Sequence, residues 1–261
     1  MAYQYIIYDK RDRVAYITIN RPEVMNALNI PCHHELSDAW NDFRDDPDMW
    51  VAILTGYGDK AFSTGNDLKY MAEHAHEISR ASFPAGGFGG ITQSFQCWKP
   101  MIAAINGYAV GGGLEMALAC DIIIAAEHAR LGLPEAAMGR IPGAGGVHRL
   151  PRQIPLKIAM GMMLTARNIS AQEAYRIGLV NEVVPSQELM SAAEKWAREI
   201  VRCSPLAIRS IKEAAYEGLN VPVQEAVGTT YPLQAKLMKS EDFKEGPRAF
   251  AEKRAPEWKG I

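Results

Sequence analysis

KPMIAAINGYAVGGGLEMALACD, residues 99–121, is the stretch whose reading decides the fold. MIAAING at 101–107 is a short apolar run closed by glycine and reads as a strand. YAVGGG leads on into LEMALAC, which is helical in character, and DIIIAA at 121–126 reads as another strand. Strand, glycine-rich turn and helix in succession predict a mixed α/β core.

The same rhythm extends outward. Toward the N-terminus, WVAILTG at 50–56 and VAYITI at 14–19 read as strands, the latter ended by Asn20-Arg21-Pro22. Between them, a helix over 32–44 follows Pro31 and spaces Leu36, Ala39, Trp40 and Phe43 along one face. Toward the C-terminus, RLGLPEAAMG and IPGAGGVHRL precede a helical stretch near 155–164. From about 186 the chain turns to long amphipathic helices, with an appendage expected from residue 200 (1–199 as core, 200–261 as helical region). Its apolar stripe needs a partner, either the core or another subunit. Residues 71–92 hold no clear period and contain PAGGFGG at 84–90. That composition fits a mobile loop better than a packed element, either a surface excursion or a flap over a ligand.

The 261 residues are 48% hydrophobic with a formal charge of -2, enough for a large buried core and without a global field for nucleic acid. Cysteines at 32, 97, 120 and 203 are too scattered to chelate and suit a reducing, cytoplasmic compartment. The opening residues lack a basic-then-apolar secretory pattern, and Asn106, Glu115 and Asp121 interrupt the longest apolar region, which argues against a membrane helix. None of the six histidines joins a carboxylate or cysteine at a metal-ligand spacing, so no metal is expected.

Gly111, Gly112 and Gly113 let the backbone approach a ligand and aim free N–H groups at it, as in an oxyanion hole; the alternative is a plain tight turn. GYAVGGGLE carries neither the dinucleotide nor the phosphate-loop fingerprint. Glu115 stands amid apolar neighbours, where burial raises a carboxyl pKa toward a usable proton carrier; otherwise it is a cap or ion-pair partner. Glu135, in LGLPEAAMG, has a similar setting. If the two face each other they can add water across a double bond; if not, Glu135 is a helix-start charge. FSTGNDLK at 62–69 is either a turn or ligand-contacting backbone.

Linked in order, NRPEVMNALN (20–29), AFSTGNDL (61–68), residues 99–121, LPEAAMGRIPGAGG (133–146), the run from Ala174 and the FAEKR tail closely resemble the enoyl-CoA hydratase/isomerase (crotonase) family over nearly the whole chain. The resemblance implies a spiral of ββα units and a C-terminal helical region that assembles trimers, commonly paired into hexamers. It implies an acyl group carried as a coenzyme A thioester, with no permanently bound cofactor. It places the oxyanion-hole N–H groups at Thr64 and Gly112, and the catalytic acids of the hydratase branch at Glu115 and Glu135. Coenzyme A contacts are implied around Ala27, Leu28, Thr64, Gly65, Asn66, Asp67 and Leu68, with Lys253 reaching nucleotide phosphates from an adjacent subunit. FRDDP at 43–47, GGFGG and the ending from Ser240 look like the carnitinyl-CoA dehydratase subgroup, although Asn66 stands where that subgroup often carries a larger residue. Alternatives within the same fold are an enoyl-CoA isomerase and a non-catalytic acyl-CoA-binding assembly protein.

Overall fold

The computed structural model describes residues 3–260. The chain opens with an antiparallel hairpin of β1 (Ile6–Arg11) and β2 (Val14–Ile19). Its two-residue loop, Asp12-Arg13, takes positive φ at both positions, the geometry that matches strand twist. α1 (Ile30–Asp45) follows, N-capped by Asn29, whose side chain accepts from the Cys32 N–H at 3.0 Å. Its buried face holds Cys32, His33, Leu36, Ala39, Trp40 and Phe43. Leu36, Trp40 and Phe43 are fully buried, contributing about 1.5–3 kcal/mol each. At the far end, Lys99 Nζ donates to the carbonyls of Phe43 and Asp46 at 2.7 and 2.6 Å, satisfying groups the last turn leaves open.

The chain then winds three coils, each laying one strand in each of two sheets. β3 (Val51–Gly56) is followed by β4 (Ala61–Ser63) and the short α2 (Leu68–Glu73). β5 (Met101–Ile105) is followed by β6 (Tyr108–Val110) and α3 (Gly112–Ala119). β7 (Ile122–Ala126) is followed by β8 (Arg130–Gly132) and a 3₁₀ turn at Pro134–Met138. α4 (Gly146–Gln153), α5 (Leu156–Thr165), β9 (Ile169–Ser170), α6 (Ala171–Arg176) and β10 (Glu182–Val184) complete the core. The first sheet has the order β1-β2-β3-β5-β7-β10, parallel after its opening hairpin; the second has the order β4-β6-β8-β9, antiparallel only at β9.

The corner between sheets corrects one reading. MIAAING forms its strand as far as Ile105; Asn106-Gly107 turn the corner, and YAV, expected as part of the passage into the helix, is a strand of the second sheet. Asn106 Nδ2 donates to the carbonyls of Gly56 and Gly58 at 2.8 and 2.7 Å, and its Oδ1 accepts from the Gly56 N–H at 3.2 Å. One buried amide thus satisfies the backbone of the neighbouring coil's corner.

PAGGFGG is likewise not a mobile excursion. Residues 86–90 are buried against α1: the Gly89 N–H donates to His33 Nδ1 at 2.9 Å, and the Phe88 ring meets the His33 ring edge-on at 4.5 Å. Gly90 has φ +77°, and a Cβ there would stand 2.6 Å from Ser37 Cα. Here the glycines serve close backbone approach rather than mobility.

α7 (Leu189–Val201) covers the outer face of the first sheet, packing Leu189, Ala193 and Ala197 with Val51, Ile53, Ile102 and Ile124. The 199/200 boundary therefore falls within a helix of the core layer; the break in the helical path lies at Arg202–Ser204, before α8 (Pro205–Gly218). α9 (Val223–Gly228), α10 (Pro232–Leu237) and α11 (Glu241–Ala251) follow. Lys212 pairs with Asp121 at 2.8 Å and donates to the Lys99 carbonyl, tying α8 to the core. On the helices' other side Leu219, Val227 and Phe250 are each more than 80% exposed.

Candidate active site

The parallel strands β4, β6 and β8 end on one side of the second sheet, and the residues directly after them meet. Thr64 to Leu68 follow β4, Gly111 to Glu115 follow β6, and Pro134-Glu135 follow β8. The carboxyl ends of parallel strands are where open α/β sheets form ligand crevices. All of these residues but Asp67, Gly113 and Leu114 line a cavity of about 520 Å³, together with residues that include Phe83, Phe88, Met138, Arg140, Ile141, Gly143 and Ala144.

Glu115, on α3, is only 3% exposed, and its Oε1 accepts from the Gly146 N–H at 2.8 Å. Burial pushes its pKa up to about 7, against the hydrogen bonds from the Gly146 and Ala144 backbone and the more distant Arg149 cation; the Glu135 charge adds to the rise. Glu135, 8% exposed, is also raised by burial, and its Oε2 has no hydrogen-bond partner among the described residues. Its Oε1 lies over the glycine turn, 3.2 Å from where a Cβ on Gly111 would stand. Both acids therefore converge on the start of α3, in a buried setting that raises both carboxyls, Glu115 to about 7.

Two backbone donors complete the cavity wall, but they are not the expected pair. The Thr64 N–H donates to the Met25 carbonyl at 3.2 Å, so it is spent within the fold. Leu28 takes the Gly65 carbonyl with its N–H (2.8 Å) and receives the Asp67 N–H on its own carbonyl (3.0 Å). This one-residue parallel bridge turns the Asn66 N–H away from Leu28. Among the described residues neither the Asn66 N–H nor the Gly112 N–H has a partner. Gly65, at φ +87°, brings the two together: a Cβ added to it would lie 2.9 Å from the Gly112 N. The donor after β4 is thus Asn66 rather than Thr64.

Of the other expected residues, Thr64, Gly65, Asn66, Leu68 and Gly112 line the cavity, whereas Ala27, Leu28, Asp67 and Lys253 do not. Ala27 and Leu28 form the shelf beneath the loop, with the Ala27 carbonyl accepting from Arg21 at 2.5 Å. Asp67 is buried, ion-paired with Arg21 at 2.9 Å, and caps α2 through the Tyr70 N–H. Lys253 is exposed just beyond α11. Sequence reasoning did not single out Gly146, Arg149, Phe88, Met138 or Arg140. Gly146 had the same signal as Gly112, a glycine turn opening a helix; Phe88, Met138 and Arg140 lie within stretches that were quoted, but their residue types carried no chemical signal of their own. Among the described residues no group of three His, Cys, Asp or Glu side chains forms a cation site, and no helix is long and apolar enough to cross a membrane.

The sequence model of the enoyl-CoA hydratase/isomerase family matches residues 9–261. The chain is 47% identical to a carnitinyl-CoA dehydratase of Salmonella typhi over 251 residues, covering 94% of each. Among solved structures it is similar to an enoyl-CoA hydratase from Mycobacterium tuberculosis H37Rv, with TM-score 0.91 at 38% identity over 98% of this chain and 99% of that one. It is also similar to an enoyl-CoA hydratase from Bacillus anthracis, with TM-score 0.89 at 39% identity over 99% and 100%.

Proposed function

We infer that this chain, which belongs to the enoyl-CoA hydratase/isomerase (crotonase) family, reversibly adds water syn across the double bond of a 2-enoyl-CoA to give a 3-hydroxyacyl-CoA. The family acts on coenzyme A thioesters without a bound cofactor, and the chain has its α/β fold of two mixed sheets and C-terminal helices. The observation that carries the hydratase reading is the meeting of two buried carboxyls with two unpaired backbone N–H groups in one cavity.

The thioester oxygen sits between the N–H groups of Asn66 and Gly112, which stabilise the charge that gathers there as the enolate forms. Ionised Glu115 takes a proton from water as its oxygen bonds to C3. Protonated Glu135 gives a proton to C2 on the same face. The pair begins and ends with one proton, on opposite carboxyls, and exchange with solvent resets it. An assay with crotonyl-CoA, read as loss of the conjugated enoyl-thioester absorbance, tests this. If short and medium 2-enoyl-CoAs stay unchanged while a 3-enoyl-CoA becomes its 2-enoyl isomer, the chain is an isomerase. Acyl-CoA binding without either conversion would leave a non-catalytic assembly protein.

The pH profile of the same assay has an expected sign. Glu115 must be ionised to accept water's proton, and burial raises it to about 7. Hydration kcat/KM therefore falls as pH drops below about 7. Glu135, also raised by burial, must carry its proton to serve, so its ionisation opposes the rise in rate. In Glu115→Gln any residual activity should lack the acid limb; an unchanged limb would assign it to another group.

The 47% identity to carnitinyl-CoA dehydratases favours a second reading, removal of water from carnitinyl-CoA by the same two acids. A kcat/KM panel that includes crotonobetainyl-CoA separates it from general enoyl-CoA hydration. The bare apolar side of the C-terminal helices supports self-association into a trimer or hexamer. A solution mass that stays monomeric at every concentration would exclude it.

A further inference from the structure

Two buried polar atoms near the cavity, His33 Nε2 and Asn66 Oδ1, lack a partner of good hydrogen-bond geometry, yet the two side chains lie within hydrogen-bonding reach. The surroundings decide how they pair. His33 Nδ1 accepts the Gly89 N–H at 2.9 Å, so it carries no proton. The ring is fully buried and held neutral, its pKa pushed down to about 3 by burial. The single ring proton is therefore on Nε2, which can only donate. Asn66 must meet it with Oδ1, because Nδ2 would set donor against donor. That leaves Nδ2 turned from His33 Nε2, on a residue that lines the cavity, and it forms no hydrogen bond among the described residues.

We propose that Asn66 is a specificity-determining residue: its carboxamide, oriented by His33, donates to a neutral oxygen on the acyl chain just beyond the reacting double bond. The proposal rests on the hydratase reading and deepens it by naming the substrate class. Asn66's own N–H lies at the thioester oxygen, so its side chain borders the acyl group rather than the nucleotide. The adjoining wall is apolar: the Phe83 and Phe88 rings line the cavity and pack on His33 at 4.9 and 4.5 Å. A donor set beside such rings favours an acceptor at one place. A carboxylate there would share the cavity with the single negative charge of the Glu115–Glu135 pair, so a hydroxyl, ether or carbonyl oxygen is the matching group.

His33 acts as a positioning residue. Without its proton the amide can turn over and offer Oδ1 to the cavity, reversing the preference from acceptor to donor.

The test compares 4-hydroxycrotonyl-CoA with 2-pentenoyl-CoA, which differ by a hydroxyl against a methyl of similar size. The wild-type protein is expected to favour the hydroxyl substrate about 10-fold in kcat/KM, the discrimination that one neutral hydrogen bond supplies. Asn66→Leu should bring the ratio to 1 or invert it; intrinsic reactivity cancels when the ratio is compared between proteins. His33→Leu should lower the ratio and His33→Gln, which keeps a donor, should retain it, with thermal unfolding confirming that each is folded. A wild-type ratio at or below 1 overturns the proposal without any variant, as does an Asn66→Leu ratio equal to wild type. If Asn66→Leu does not fold, equal ratios in the two His33 variants overturn the positioning and a difference supports it. Crotonyl-CoA turnover without preference leaves the hydratase reading standing, whereas no hydration of any probe removes both.

Discussion

Glu135→Gln is expected to lower kcat for crotonyl-CoA hydration by at least ~10²-fold, with acyl-CoA binding largely retained. The amide has nearly the shape of the acid but holds no proton that it can transfer to C2. Burial favours the protonated form of the original acid, which is the form that can serve. Glu115→Gln should lose a similar factor for the complementary reason, the loss of a group to receive water's proton. Because the two act as a unit, the double variant should lose far less than the product of the single losses. Single-turnover rates and equilibrium binding of a saturated acyl-CoA check both points. Wild-type-like turnover in either variant would remove that residue from the mechanism.

Gly65→Ala is expected to lower kcat by about 10²-fold, the effect of losing one oxyanion donor. The added methyl would stand 2.9 Å from the Gly112 N, where the thioester oxygen must approach. The position is also at φ +87°, so about 1 kcal/mol of stability should be lost as well. Gly58→Ala separates the two effects, since φ there is +84° but nothing lies within 4 Å of the added carbon. It should show the stability loss in chemical denaturation without the loss in kcat. If Gly65→Ala keeps wild-type kcat, the Asn66–Gly112 donor pair is wrong.

The glycines at 111–113 and the glutamate two residues on could be read from sequence because their setting is local: the turn, the helix start and the apolar neighbours are contiguous. Glu135 was legible only as half of a pair, since its facing Glu115 depends on adjacent coils ending together. The donor after β4 was misplaced by two residues for a similar reason. Whether Thr64 or Asn66 keeps a free N–H is settled by Met25 and Leu28, nearly 40 residues upstream, and nothing in STGND announces those partners. PAGGFGG failed in the opposite direction. Glycine composition is equally suited to mobility and to tight packing, and only the presence of α1 beneath it decides which. The strand-and-helix rhythm was legible because apolar runs and glycine corners mark it, though the three-residue strand YAV beyond the Asn106 corner was too short to stand out from the turn.

The winding of β3–β4, β5–β6 and β7–β8 has a consequence for descent. Each coil hands the site its own part at the tip of its own strand: Asn66 from the first, Gly112 and Glu115 from the second, Glu135 from the third. The sheet ladder that holds those tips is backbone and indifferent to the side chains carried past each strand's end. A lineage can therefore exchange the proton-bearing residue of the last coil while inheriting the charge-stabilising donors of the first two. New reactions of the same thioester chemistry are then a few substitutions apart, with the scaffold passed on intact.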